Sequence, residues 1–263
     1  MDRRTFGKAT VVAFAGLGLR STLPLTPAFG APPTFADSFP QAVDGVLQEP
    51  AGILYQEAED GFLPGGADGQ VKSGLVTPDL DFTGAAKVYV VVQNLDFVAA
   101  RQGFRVKFYG PLSPPSPLSG VTLACGQPSD PADPNSLATL ASIGLKCVHT
   151  RIDREGWAIQ VRDANPPPPG GQPPPFQRIH GGKFASPLNA HDQFYTFEHV
   201  IEDGIVTLYR DGEVLGSTSD VPPAKRQEEK VRRVQGRGCY FECSQQGTGD
   251  FTRLDRIWAS DTV

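Results

Sequence analysis

Glu57 and Glu59 stand two residues apart in Ile53-Leu54-Tyr55-Gln56-Glu57-Ala58-Glu59. On an extended strand that spacing puts both carboxyl groups on one face, ~7 Å apart. Cleavage of a glycosidic bond uses two carboxyl groups, ~5–5.5 Å apart for retention of configuration and ~6.5–9.5 Å for inversion. The pair has the spacing for inversion; the alternative is two solvated strand charges. Gly103 to Tyr109 alternates, with Phe104, Val106 and Phe108 on one side and Arg105, Lys107 and Tyr109 on the other. A ring beside two cations on a face turned from the core suits a ligand offering C–H surface and hydroxyls together. A wet sheet surface is the equal alternative. Asp130, Asp133 and Asn135, in Ser-Asp-Pro-Ala-Asp-Pro-Asn, supply oxygen donors of the kind Ca²⁺ takes. They lack the Gly and distal Glu of an EF-hand, and Asp-Pro is ordinary turn chemistry.

Four cysteines, Cys125, Cys147, Cys239 and Cys243, form an even set. In an oxidising compartment they read as two disulfides with three connectivities. An extended 239–243 segment separates its ends by ~13 Å, about twice what a disulfide spans. Long-range pairings are therefore favoured, with Cys125–Cys147 beside a turned Cys239–Cys243 as the other pattern. Zinc fits poorly, since the spacers are 21, 91 and 3 residues and no histidine pair flanks them. The chain has no Gly-x-Ser-x-Gly, no His-Glu-x-x-His and no Gly-x-x-x-x-Gly-Lys, which sets aside serine-hydrolase, zinc-protease and P-loop chemistry.

These side chains must be held by something. In 263 residues there are 29 Gly and 25 Pro, about a fifth of the chain. Helix interiors tolerate neither, so the composition points to many short strands and turns. No apolar run reaches the ~20 residues of a membrane-spanning helix. About ten strand-like runs recur, among them Val88–Gln93, Cys147–Ile152, Trp157–Val161, Phe194–Ile201, Ile205–Arg210 and Arg253–Trp258. By alternation Trp157 sides with Ile159 and Val161, and Trp258 with Leu254, which places both in the core. Asp211-Gly212 between two apolar runs is a hairpin signal, because a type I′ turn needs positive φ at both central residues. Three segments read as loops: 111–134, the Pro-rich 164–176, and the densely charged 224–237, a solvated loop or helical turn by default. The fold class this predicts is an all-β sandwich or barrel.

The first thirty residues read as an export signal. Arg3-Arg4-Thr5-Phe6-Gly7-Lys8 precedes a short apolar stretch, and Ala28-Phe29-Gly30 suits a signal peptidase. The paired arginines resemble a twin-arginine (Tat) signal, with an ordinary secretory signal as the alternative. The resemblance implies export through machinery that reads Arg3 and Arg4, to a periplasmic or extracellular location in a bacterium or archaeon. The signal carries four cations against one anion, so the net charge of −5 becomes −8 without it. An acidic domain has no general attraction for nucleic acid or anionic lipid.

Tyr209-Arg210-Asp211-Gly212 with the apolar strand after it, the upstream Phe194-Tyr195-Thr196-Phe197-Glu198-His199, and the ending Phe251-Thr252-Arg253-Leu254-Asp255-Arg256-Ile257-Trp258 resemble concanavalin A-like and laminin-G-like domains. Gly156-Trp157-Ala158-Ile159-Gln160-Val161 is similar to a middle strand of that superfamily. The resemblance covers 140–260. It implies a single two-sheet antiparallel jelly-roll domain over 31–263, and a glycan as partner. A lectin-like protein is the first expectation. The second is a polysaccharide-degrading enzyme, through Glu57 and Glu59 or through Tyr109 and Arg105 with one of His149, His180, His191 or His199. The third is a structural or adhesive envelope protein. Calcium is the one cofactor the resemblance adds support to, at Asp130, Asp133 and Asn135.

Overall fold

Phe104, Val106 and Phe108 have no exposed surface, while Arg105, Lys107 and Tyr109 lie half-buried on the other side of the same strand. The alternation read from 103–109 is thus the alternation of a sheet with one dry face. The computed structural model describes residues 35–37, 45–46, 53–59, 63–65, 70–72, 75–77, 85–92, 95–109, 120–127, 145–165, 174–188, 193–246 and 250–263. Arg3, Arg4, Asp130, Asp133, Asn135 and His191 lie outside the described residues. Among the described residues no helix is long and apolar enough to cross a membrane.

The strands are β1 (Phe35–Asp37), β2 (Gly45–Val46), β3 (Ile53–Glu59), β4 (Leu63–Gly65), β5 (Gln70–Lys72), β6 (Leu75–Thr77), β7 (Ala85–Val92), β8 (Arg101–Tyr109) and β9 (Gly120–Gly126). They continue as β10 (Lys146–Asp153), β11 (Gly156–Asp163), β12 (Gln177–Lys183), β13 (Tyr195–Glu202), β14 (Ile205–Arg210), β15 (Glu213–Ser217), β16 (Gly238–Gln246) and β17 (Asp250–Ser260). Most of those not anticipated from sequence are the two- and three-residue strands before residue 80. Every pairing is antiparallel. Sheet I runs β4–β3–β7–β16–β9–β10–β11–β12. Sheet II runs β15–β14–β13–β8–β17, with β1 and β6 along the far edge of β17 and β5 and β2 beyond β6. The β16–β17 hairpin joins the two sheets at a corner.

Between the sheets lies one core, in which Phe104, Phe108, Leu123, Ile159, Phe197 and Phe241 have no exposed surface. Burying such side chains stabilises by about 1.5–3 kcal/mol each. Hydrogen bonds also cross this interior. Gln102 Nε2 on β8 donates to the Tyr240 carbonyl on β16 at 3.0 Å. Thr252 Oγ1 on β17 donates to the Gly120 carbonyl on β9 at 3.1 Å. His199 Nδ1 on β13 and Thr150 Oγ1 on β10 share a third at 3.1 Å.

The Asp211-Gly212 turn forms as its sequence predicts, with φ of 50° and 91°. Asp211 Oδ1 accepts the Thr196 N–H at 2.8 Å, and the Asp211 N–H donates back to the Thr196 carbonyl, so the turn is fastened to β13. Asp203-Gly204 makes the same kind of turn between β13 and β14, with φ of 49° and 81°.

Three expectations need correction. The first is Trp258, which does not side with Leu254. β17 carries an extra residue, Asp255, between the pairs Leu254↔Val106 and Arg256↔Arg105. A bulge of one residue reverses sidedness from that point on. Ile257 and Ala259 therefore face the core, and Trp258 lies on the outward face of sheet II, over Gly103. Its Nε1 donates to Glu198 Oε2 at 2.8 Å, and Arg101 lies 3.5 Å from the same carboxylate. The second correction concerns the charged segment, which is not simply solvated. It holds a helix, α1 (Glu228–Val234), whose Val231 and Val234 are fully buried in the core. Arg233 fastens the helix to Asp163 on β11 through Nε at 2.7 Å and Nη2 at 2.6 Å. The third is that all four cysteines are free thiols, so the two-disulfide framework is not formed. Trp157 does lie in the core beside Ile159 and Val161, where Gly182 and Gly216 leave room for its indole.

Candidate functional site

The outward face of sheet I follows from its register, because residues directly opposite on neighbouring strands share a face. One row reads Tyr240–Ala124–His149–Gln160–Arg178 across β16, β9, β10, β11 and β12. The next reads Glu242–Thr122–Arg151–Ala158–Gly181. On the other side of the first row, Cys147 lies opposite Arg162. This face therefore combines two aromatic or imidazole rings with three guanidinium groups, an amide and a carboxylate.

His149 is almost buried and is held from two directions. Gln160 Oε1 accepts a hydrogen bond from Nδ1 at 3.0 Å. Phe176, at the end of the Pro-rich segment, stacks on the imidazole with centroids 4.1 Å apart. The Arg162 guanidinium sits 3.9 Å from the centre of the Phe176 ring and donates to the Pro174 carbonyl at 3.2 Å. Tyr240 lies 6.1 Å from His149, centroid to centroid. Val91, Ala124, Cys147 and Tyr240 make a small second apolar cluster here, with Phe176 packed against it. Pro174 and Phe176, at the end of the Pro-rich segment, thus lie against the sheet. Burial lowers the Arg162 pKa, against the opposing influence of Cys147 and Tyr240.

Beside this cluster the face opens into a groove of about 180 Å³, lined by Arg151, Asp153, Glu155, Ala158, Arg178 and Lys183 together with Gly156, Trp157 and Gly182. Small residues make the room. Ala158 carries only a methyl, and a Cβ on Gly181 would stand 2.3 Å from Arg178 Nη2. Asp153 is fixed by the β10–β11 turn, its Oδ1 accepting the N–H groups of Glu155 and Gly156, both at 2.8 Å. The groove offers hydrogen-bond donors from three cations and acceptors from two carboxylates.

The side chains singled out in the sequence are distributed elsewhere. Glu57 and Glu59 lie on β3, with Glu57 opposite Val88 and Glu59 opposite Ala86. Four strand spacings separate β3 from β10, ~19 Å at ~4.8 Å each, so the strand that carries this pair lies away from the groove. Arg105, Lys107 and Tyr109 lie on the outward face of sheet II. There Arg105 Nη1 pairs with Asp255 at 2.9 Å, Arg105 and Lys107 both sit over the Phe194 ring at 4.1 and 4.3 Å, and Arg253 sits over Tyr109. Burial raises the Asp255 pKa, with Arg105 the first of three cations pulling it back. Tyr109 and Arg105 are therefore on the opposite side of the sandwich from His149. His180 lies at the sheet edge, edge-on to Trp157 at 5.1 Å and 3.8 Å from Asp220. His199 is in the core. Among the described residues no three His, Cys, Asp or Glu side chains gather as metal ligands. Tyr240, Gln160, Arg162 and Phe176 were not anticipated around His149. Only Tyr240 left a signal, in the alternation of Cys-Tyr-Phe-Glu-Cys at 239–243, where it points away from three neighbours in the core.

No family model matches the chain, and no curated protein matches it in sequence. Solved structures do match in fold. The potassium-bound carbohydrate recognition domain of Emp46p superposes with a TM-score of 0.52 at 9% identity, covering 81% of this chain and 90% of that one. The Ca²⁺/Man-bound exoplasmic/lumenal domain of VIP36 gives 0.50 at 10% identity, covering 81% and 84%. The catalytic domain of an endo-1,3-beta-glucanase (laminarinase) from Thermotoga petrophila RKU-1 gives 0.50 at 11% identity, covering 86% and 96%. At these identities the likeness is one of fold, a two-sheet antiparallel jelly-roll sandwich.

Proposed function

We propose that this chain is an exported carbohydrate-binding protein whose ligand lies across the outward face of sheet I, in the groove between Arg151, Arg178 and Lys183. The groove carries the reading. A saccharide presents many hydroxyls that both donate and accept, and the groove gathers the guanidinium and ammonium donors of Arg151, Arg178 and Lys183 with the carboxylates of Asp153 and Glu155 beside the small side chain of Ala158. The outward face of sheet II supports it less well, because Arg105 and Lys107 already lie against Asp255 and Phe194. The jelly-roll fold is shared with domains that bind carbohydrate and with a glucanase, and fold alone does not choose between binding and cleavage. Export rests on Arg3 and Arg4 in the amino-terminal segment, and replacing both with Lys should hold the chain in the cytoplasm.

Binding to a panel of soluble polysaccharides by affinity electrophoresis tests the reading. Arg178→Ala and Arg151→Ala should each weaken retention about tenfold, the cost of ~1.4 kcal/mol of hydrogen bonding. Retention by no polysaccharide, or retention untouched by either substitution, would overturn it.

One observation favours a second reading. His149, oriented by Gln160, stands beside Tyr240, and Arg162 lies over the Phe176 ring that stacks on the imidazole. Polysaccharide lyase chemistry needs a base to remove a proton next to a uronate carboxylate and a cation to neutralise that carboxylate. Ultraviolet absorbance of unsaturated uronate on incubation with acidic polysaccharides tests it, and His149→Ala should abolish any signal. Hydrolysis through Glu57 and Glu59 would instead release reducing ends.

A further inference from the structure

The register of sheet I decides which thiols can meet. Cys125 on β9 and Cys239 on β16 are directly opposite one another, both on the inward face and both without exposed surface. Directly opposed residues in antiparallel strands hold their Cα atoms ~4.5–5.5 Å apart, inside the ~4.4–6.8 Å that disulfides span. The remaining combinations fail on the same geometry. Cys147 is opposite Gly126, whereas Cys125 is opposite Val148, so the two lie one step out of register and leave opposite faces of the sheet. Cys147 accordingly belongs to the outward cluster with Tyr240, while Cys125, Cys239 and Cys243 belong to the interior. Cys239 and Cys243 are on one extended strand, ~13 Å apart. Cys147 and Cys243 are on opposite faces with β9 between their strands.

We propose that Cys125 and Cys239 are a single oxidisable pair that stitches β9 to β16, and that Cys147 and Cys243 stay thiols. The oxidant is a disulfide of low molecular weight or of a thiol oxidoreductase, written RSSR. One cysteine, as its thiolate, attacks RSSR and expels one thiolate, which takes up the proton the cysteine lost. The second cysteine attacks the mixed disulfide and expels the other R group as RSH. One S–S bond forms in the protein, one breaks in the oxidant, and two RSH leave with the two electrons and two protons of the cysteines. Burial pushes the Cys125 thiol up to about 12 and raises Cys239 well above its ordinary value, with Cys125 adding to the latter, so in the folded chain neither sulfur is a ready nucleophile. Oxidation therefore belongs to the incompletely folded chain, and the pair records whether the chain met an oxidant before or after the sandwich closed.

The test refolds the full chain from reductant and denaturant in a glutathione redox buffer, blocks remaining thiols with an alkylating reagent under denaturing conditions, and maps unreduced peptides by mass spectrometry. The expected product links the Cys125 and Cys239 peptides and carries label on Cys147 and Cys243. The folded, reduced protein placed in the same buffer should keep all four thiols. Cys147→Ala with Cys243→Ala should form the same bridge, and Cys125→Ala should form none. A link between any other two cysteines, or four labelled thiols after oxidative refolding, would overturn the proposal. The readout does not involve carbohydrate, so its failure leaves the ligand reading intact.

Discussion

His199 should make the protein sensitive to mild acid, by an amount its surroundings define. The imidazole has no exposed surface; Nδ1 shares a hydrogen bond with Thr150 Oγ1, and Nε2 has no hydrogen-bond partner among the described residues. Burial alone lowers its pKa to about 3. In the unfolded chain the same group titrates near ~6.5. Between those values the unfolded chain binds a proton that the folded chain refuses. The stability this group supports is complete above ~6.5 and is lost as pH falls, at about 1.4 kcal/mol per unit. By about pH 5 the loss is about 2 kcal/mol, a sizeable part of the ~5–15 kcal/mol that holds a domain folded. His199→Asn keeps an amide near the Nδ1 position and cannot titrate. Urea unfolding from about pH 7 to about pH 5 should show wild type losing about 2 kcal/mol more than the variant, although the variant starts lower because it leaves a cavity. Glu198 and Asp255, both raised by burial, act in the opposite direction, and the comparison cancels them because they are common to both proteins. Parallel pH profiles would refute the account of a neutral buried imidazole.

Other substitutions test the packing. Gly103→Ala would place a methyl 2.3 Å from the Trp258 ring, and displacing the indole should cost about 1–3 kcal/mol in thermal or urea unfolding. Asp211→Ala removes the acceptor of the Thr196 N–H and should cost about 1–2 kcal/mol, with exchange of that amide accelerated in hydrogen-exchange measurements. Phe176→Ala uncovers the imidazole beneath it, so His149 should react faster with an acylating reagent such as diethyl pyrocarbonate while the thermal midpoint falls by a few degrees, as about 1 kcal/mol would produce. The oxidised Cys125–Cys239 form should exceed the reduced form by up to ~4–5 kcal/mol, because the bridge closes a loop of more than a hundred residues in the unfolded chain.

The parts of the fold that could be read from sequence are those set by neighbours in the chain. The Asp211-Gly212 turn and the β13–β14–β15 meander follow from local turn chemistry and alternation. The two sides of β8 follow from period two. Trp258 was misplaced because a single inserted residue, Asp255, shifts the phase, and phase cannot be carried across a bulge that sequence does not announce. Helix α1 hides its apolar side in two valines among seven mostly charged residues, too few for a periodic signal. The cluster around His149 was not legible because strand order builds it. Tyr240, His149, Gln160 and Phe176 come from four separate segments and meet through β16–β9–β10–β11 adjacency. The Glu57–Glu59 spacing was legible, but its distance from the groove is a property of sheet order.

The bond from Gln102 to the Tyr240 carbonyl gives the sandwich a through-wall linkage. The grip is on the inside, and the ring attached to the gripped residue shows on the outside. Trimming Gln102 would remove that grip, so a change sealed within the molecule would be felt at a surface it never touches. Anyone reshaping that surface by redesign inherits an anchor on the far side of the sheet, in a different layer of the protein.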